Sequence, residues 1–295
     1  MMCLLTVQHS TIYRYREPVG LGEHRMMFRP RASHDLRLIR TSLVITPQPA
    51  QLRWLHDPFD NSVAVATFEG TTSELRFEST VTLEHYEDSM EYPLEQTART
   101  YPFRYSDQDF PNLARALARH YPGERVSQWA LQFLDPSDTT GTMKILRAMT
   151  CGIREEFLYV RRTEKGVQTP EETLRNGRGS CRDFAVLMME AARSLGIAAR
   201  FVSGYIFVPS SSGFAGGGAT HAWVQAYLPG AGWIDFDPTN SIVGNRNLVR
   251  VAVAWVPDQV LPLWGTYVGE PGACLGMDVT VKVTETPRSR SHDNA

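Results

Sequence analysis

A chain of 295 residues is long for one hydrophobic core and comfortable for two domains. Its apolar fraction of 42% and charged fraction of 21% are those of an ordinary soluble globular protein. A formal net charge of -2 gives no basic footprint for nucleic acid or an anionic membrane, and no apolar run reaches the roughly 18 residues of a membrane span, so neither partner is expected.

The first residues, Met1 to Val7, lack a basic leader and read as a strand rather than a secretory signal. Residues 1–85 predict an all-β domain. Leu5 to Tyr15, Leu36 to Pro47 and Asn61 to Phe68 are rich in β-branched and aromatic residues, and Leu75 to Leu83 alternates apolar and polar. Asp57 to Asn61 supplies turn chemistry, and short strands at this spacing predict a sandwich. His9, His24, His34, His56 and His85 have no ligand spacing and read as surface or core-edge residues.

Residues 86–107, polar and carrying Pro93 and Pro102, read as a linker. Residues 108–285 predict the second domain. Helices are expected over Asn112 to His120, Val126 to Phe133 and Thr142 to about Leu158, the last with Ile145, Leu146, Met149, Ile153 and Phe157 along one stripe. Cys151 within it reads as a buried structural thiol. Thr169-Pro170-Glu171-Glu172 is a capping box that starts a short helix ending at Asn176-Gly177. A further helix runs from Cys181 to about Leu195, with Phe184, Leu187, Met188, Ala191 and Leu195 facing inward. Strands are expected at Ile197 to Val208, 221–228 and 232–236, and a terminal strand at Asp278 to Thr284. The tail 286–295 carries little apolar surface and reads as disordered.

The reactive stretch is Gly177-Arg178-Gly179-Ser180-Cys181-Arg182-Asp183-Phe184-Ala185. A helix N-terminus sets unpaired N–H groups and partial positive charge beside a sulfur, which favours the nucleophilic thiolate. Gly177 and Gly179 let backbone approach a bound acyl group, and the Cys181 N–H is a candidate oxyanion donor. Gly179, Ser180, Arg182 and Trp223 are the further candidates for cleft wall or oxyanion hole. His221 is the candidate base. Strand parity puts Trp223 on the same face, toward the cleft, and Ala222 and Val224 toward the core. Asp237 is the candidate to orient His221 and Asp235 is its rival; Pro238 ends the strand at Asp237 and leaves that carboxylate at the rim. Taken singly, each of these residues is ordinary; the three motifs in one order point to thiol acyl transfer.

Two other readings are weaker. Gly213 to Ala219 lacks the Lys-Ser/Thr ending of a phosphate loop and is read as a flexible loop beside His221, a candidate lid. Zinc is not expected, because Cys3, Cys151, Cys181 and Cys274 include no CxxC pair and no second ligand lies at metal spacing. No cofactor or metal is predicted, and thiols without a disulfide framework fit a reduced cytoplasmic protein.

Gly-Ser-Cys-Arg-Asp-Phe-Ala (179–185), Thr-His-Ala-Trp-Val-Gln (220–225) and Gly-Trp-Ile-Asp-Phe-Asp-Pro-Thr-Asn (232–240) together resemble the bacterial branch of the transglutaminase-like superfamily. Leu195 to Tyr205 matches that branch as well. Tyr13-Arg14-Tyr15, Pro18-Val19 and Phe28-Arg29-Pro30-Arg31 resemble the β-rich domain that precedes its core. The resemblance spans roughly residues 4–245. It implies an α+β chain, an N-terminal β-sandwich followed by a papain-like core of helices packed on an antiparallel sheet. It also implies a triad of Cys181, His221 and Asp237, since the family's aspartate is the one in Asp-Pro-Thr. Arg182 and Ser180 stand where glutamine and valine are common in this branch, and Ala254 to Asp258 replaces its Gly-Arg-Asp-Tyr segment. The function expected is that of a cysteine peptidase or amidase acting on a peptide or protein substrate through a Cys181 thioester. Transfer to a lysine amine, as in a transglutaminase, is the alternative within this chemistry, and a non-catalytic protein-binding scaffold is the alternative outside it.

Overall fold

In the computed structural model, which describes residues 2–87, 91–135, 140–162, 164–209 and 212–286, the alternation of Leu5, Val7, His9 and Thr11 becomes the buried face of a 25-residue strand, β1 (Met2–Met26). Four more strands follow: β2 (Leu36–Thr46), β3 (Gln51–His56), β4 (Ser62–Thr67) and β5 (Thr71–Tyr86). Then come the helices α1 (Phe110–Leu117), α2 (Glu124–Leu131) and α3 (Thr142–Glu156), within two or three residues of where the apolar spacing puts them. Next are β6 (Leu158–Tyr159), α4 (Pro170–Asn176), β7 (Arg178–Gly179) and α5 (Cys181–Ser194). The remaining strands are β8 (Ala199–Ile206), β9 (His221–Leu228), β10 (Gly232–Asp237), β11 (Ile242–Val243), β12 (Leu248–Ala254), β13 (Leu263–Val268) and β14 (Cys274–Thr286).

The N-terminal strands do not divide into the two facing sheets of a sandwich. They run in one antiparallel sheet of order β2-β5-β1-β4-β3, to which β13 and β14 add by pairing with β1. The ladder between β1 and β5 skips from Arg14 to Val19, around Pro18, which has no N–H to give. The first half of β1 therefore pairs with β5 and β14 and the second half with β4 and β13. The curled sheet encloses a small core of its own, with Tyr15, Met26, Phe28, Leu75 and Phe77 in it. The terminal strand expected within the second domain is β14, and its partner is β1, from Leu4 to Tyr15.

The second sheet is antiparallel, in the order β11-β10-β9-β8-β12. Helix α5 packs across β8 and β9. Its expected stripe is buried, and so is most of the rest of its circumference. Two charges are buried with it. Arg193 lies 2.8 Å from Glu190 and donates to the carbonyls of Ala116, Ala199 and Trp255, while Glu190 accepts the N–H groups of His120 and Tyr121. Every polar atom of that pair thus finds a partner, which burial of charge requires. Among the described residues no helix is long and apolar enough to cross a membrane.

The two sheets share one core. Leu5, Val7, Val81 and Leu83 of the first belong to the same buried cluster as Phe184, Tyr205 and Val249. His9, His24 and His85 are buried rather than peripheral, whereas His34 and His56 are exposed. His9 Nδ1 lies 2.9 Å from the Tyr205 hydroxyl, and the His85 Nε2–H donates to the Leu248 carbonyl at 3.0 Å.

Of the stretch expected as a linker, residues 91–107 form a packed strap. Tyr92, Leu94, Tyr101 and Phe103 lie against the main core, and the Tyr105 hydroxyl donates to the Tyr227 carbonyl and accepts from the Ala198 N–H. Its aromatic residues supply apolar area that a solvated spacer would not carry. Cys151 is exposed, because it stands on the α3 face opposite Ile145, Met149 and Ile153. Thr286 belongs to β14, and the rest of the tail lies outside the described residues.

Candidate active site

Local chemistry places the sulfur. Thr169 and Glu172 form the expected capping box at the start of α4, and Gly177 ends that helix in the left-handed region. The chain then runs as β7 beside β6, with Tyr159 paired to Gly179. A Cβ on Gly179 would stand 2.9 Å from Asp183 Cβ and 3.1 Å from the Phe184 ring, so this position has room only for glycine. Ser180 is the N-cap of α5; its N–H and its hydroxyl each donate to Asp183 Oδ2 at 2.8 Å. Asp183 also accepts two bonds from Arg162 (2.7 and 2.9 Å) and the Gln168 N–H (2.7 Å). Burial alone would raise that carboxyl; the Ser180 and Gln168 N–H groups and Arg162 outweigh burial and hold it below the usual range. Cys181 therefore opens α5 on a rigid turn, with 7% of its surface exposed.

His221 and Asp237 meet because β9 begins and β10 ends at the same edge of the sheet. His221 Nε2 lies 2.8 Å from Asp237 Oδ2. Asp237 is fully buried and takes two further donors, the Thr239 N–H on Oδ1 at 2.9 Å and Asn240 Nδ2 on Oδ2 at 2.8 Å. The other imidazole nitrogen, Nδ1, is buried and has no oxygen or nitrogen partner among the described residues. Burial alone would push the imidazole down, yet Asp237, with help from the neighbouring Cys181 sulfur, lifts it to about 10. Asp237 is thus hydrogen-bonded directly to His221, and the Cys181 sulfur acts on the same imidazole. Among the described residues, no three His, Cys, Asp or Glu side chains are grouped to hold a metal ion.

The glycine loop after β8 lies on this group. Gly216, at φ +88°, sits so near the imidazole that a Cβ there would come 2.6 Å from His221 Nδ1. Asn240 ties the loop to the carboxylate. While Nδ2 serves Asp237, it also donates to the Ala215 carbonyl (3.2 Å), and Oδ1 accepts the Ala215 N–H (2.7 Å). The Gly218 carbonyl accepts the Val281 N–H of β14 at 3.1 Å. Ser210 and Ser211 lie outside the described residues.

Two candidates take other places. Trp223 shares the face of His221, as parity requires, and its ring lies 5.9 Å from the imidazole. It is fully buried in an apolar cluster packed by Phe59 and Phe214, so it does not wall an open groove. Its indole N–H donates to Asp235 at 2.6 Å, which gives the rival carboxylate a separate task. Asp235 continues through Arg250 (2.8 Å) to Asp35, in the turn just before β2 (2.7 Å). Arg182 does not pair with Asp183, whose cation is Arg162; it lies near the carbonyls of Arg162 and Glu164 at 3.4 and 3.3 Å.

Sequence reasoning misses Asn240, Asp183 and Arg250. The first two carry a signal. Asn240 follows Asp237 by three residues across the turn that Pro238 begins, and Asp183 follows Ser180 at the spacing of a capping pair. Arg250 joins its partners only through the tertiary fold.

Two family models match this chain. Residues 5–84 match the bacterial transglutaminase-like N-terminal region. Residues 129–238, which hold Cys181, His221 and Asp237, match the transglutaminase-like superfamily. An uncharacterized protein of Mycobacterium leprae is 26% identical over 287 residues, covering 96% of this chain and 99% of its own. Another, of Mycobacterium tuberculosis H37Rv, is 26% identical over 299 residues, covering 93% and 91%. Among solved structures, a proposed cysteine protease from Cytophaga hutchinsonii has the same fold, with a TM-score of 0.70 at 17% identity over 99% of this chain and 93% of that one. The chain thus carries a transglutaminase-like core preceded by the bacterial transglutaminase-like N-terminal region.

Proposed function

We propose that the protein is a thiol-dependent acyl-transfer enzyme, a cysteine peptidase or amidase acting on a peptide or side-chain amide. The observation that carries this reading is the state of His221: one ring nitrogen is committed to a buried carboxylate, and the other is buried, has no oxygen or nitrogen partner among the described residues, and is left for the Cys181 sulfur, which helps to raise the imidazole. A histidine with a purely structural role has no need of an orphaned nitrogen beside a thiol.

In the first half-reaction the Cys181 thiolate adds to the amide carbonyl carbon, and the carbonyl electron pair moves onto oxygen. The Cys181 N–H, in the first turn of α5 where no intrahelical carbonyl is available to it, donates to that oxyanion. Protonated His221 gives its Nδ1 proton to the leaving nitrogen as the C–N bond breaks, and a thioester remains. In the second half-reaction water adds to the thioester, His221 takes the water's proton, and the thiolate departs as the acid is released. Asp237 holds the Nε2 proton throughout and stabilises the imidazolium. Water is preferred over an amine as acceptor because it is always present and no amine-recognition feature is visible in the sequence.

The test is alkylation of the four cysteines by iodoacetamide near neutral pH, read peptide by peptide by mass spectrometry. Cys181 is expected to react faster than exposed Cys151 and Cys274 despite its burial, and His221→Ala removes the advantage. If Cys181 reacts no faster than they do in the wild type, acyl transfer is refuted and the scaffold reading takes its place.

A further inference from the structure

Beside the start of α5 lies an open cleft of about 430 Å³ for which the reaction above has no use. Arg161, Arg162 and Arg178 line it, together with Gln168 and Asn176. Two carboxylates line it as well, and both are engaged. Glu172 accepts the N–H and the hydroxyl of Thr169 at 2.8 and 2.9 Å, and Glu164 lies 3.6 Å from Arg162 Nε. Arg162 is itself held against Asp183. Arg161 and Arg178 differ: they are exposed, and among the described residues neither guanidinium has an ion pair or hydrogen bond. The chain as a whole carries a net charge of -2, so these uncommitted cations are a local feature and not the mark of a basic protein.

The cleft lies next to the sulfur. Val160, on its wall, donates its N–H to the Gly179 carbonyl at 2.9 Å, and Arg178 is paired with Leu158. Gly179 precedes Cys181 by two residues, a chain length of at most about 7 Å. Arg182, the residue after the nucleophile, reaches over the same segment to the carbonyls of Arg162 and Glu164. The guanidinium is a planar fork that matches a carboxylate with two parallel hydrogen bonds.

We propose that Arg161 and Arg178 form a substrate subsite for a carboxylate side chain of an acidic peptide, about two or three residues from the amide that Cys181 attacks. The proposal rests on Cys181 being the nucleophile. The preferred substrate is then a segment with Asp or Glu near the reacting bond, and the cations act on binding rather than on the chemical step.

The experiment uses the full chain and tripeptide chloromethyl ketones that differ only in Glu or Gln at each position, with the rate of Cys181 alkylation as readout. At one position the Glu probe is expected to react about fivefold faster than its Gln twin, the range of an exposed charge pair. High salt and the double substitution Arg161→Ala with Arg178→Ala both abolish that difference when each probe rate is divided by the same sample's iodoacetamide rate. Arg161→Glu with Arg178→Glu turns the preference toward a Lys probe. Both residues are exposed, so these variants fold. Equal Glu and Gln rates at every position, with Cys181 still reacting with iodoacetamide in a His221-dependent way, overturn the subsite and leave the nucleophile in place. A Cys181 no more reactive than Cys151 toward iodoacetamide overturns both.

Discussion

His221 is the residue on which the site turns, and its charge is tied to its burial. An imidazole this deep stays protonated chiefly through Asp237, which with the Cys181 sulfur raises it from 6.5 to about 10. A folded pKa above the unfolded one means that protonated His221 stabilises the fold fully below 6.5, and that the contribution disappears as pH rises toward 10. Thermal midpoints measured across that interval should fall in the wild type and fall less in His221→Gln; equal slopes would show that another group titrates. The three groups were legible because each stands in a short motif on a defined element: a cysteine at a helix start, a histidine at a strand start, an aspartate before a proline. The occupations of Trp223 and Asp235 were not. Parity assigns them a face and says nothing of what covers it, and here the cover is Phe59 from the first sheet and Phe214 from the glycine loop. Asn240 extends the lesson, since a residue that binds both a carboxylate and a loop backbone shows no pattern until both partners are in place.

Among the elements, the β7–α5 corner bears the tightest tolerance. Gly179→Ala sets a methyl against Asp183 and Phe184, and the helix start must shift to admit it. The expected cost is about 1–3 kcal/mol in urea unfolding, typical of overpacking, together with slower iodoacetamide labelling of Cys181. Unchanged labelling would mean that the corner absorbs the methyl without moving the sulfur. Amphipathic spacing located α1, α2, α3 and α5 within a few residues, because a helix writes its buried face into consecutive turns. Strands were harder. A period of two marks a half-buried strand without naming its neighbour, so one curled sheet and a two-sheet sandwich look alike from residues 1–85. The same blindness put β14 with the second domain, although its ladder lies some 270 residues back along the chain, as with Leu5 opposite Glu285.

At the scale of the molecule, the first sheet and the core are expected to unfold as one unit. They share apolar residues, and Asp35, Arg250 and Asp235 join them by a buried charge chain that ends on Trp223 beside His221. Burial would raise the Asp35 carboxyl, but Arg250, Ser33 and Asn245 hold it near 2. Asp35→Ala leaves Arg250 with half its compensation. The expected cost is about 3–5 kcal/mol, the range for breaking a buried pair, measured as a lower urea midpoint within a single cooperative transition. Two separate transitions in the wild type would contradict the shared core. The ladder between β1 and β14 also carries a message about time. On the ribosome, β1 emerges early and waits for a partner that is made more than two hundred residues later. Until then one edge of the first sheet is open, and the Gly218 carbonyl has no Val281 N–H to fasten it. The loop over His221 is secured only when synthesis reaches β14, so a chain interrupted before that point carries its thiol in an unfinished pocket.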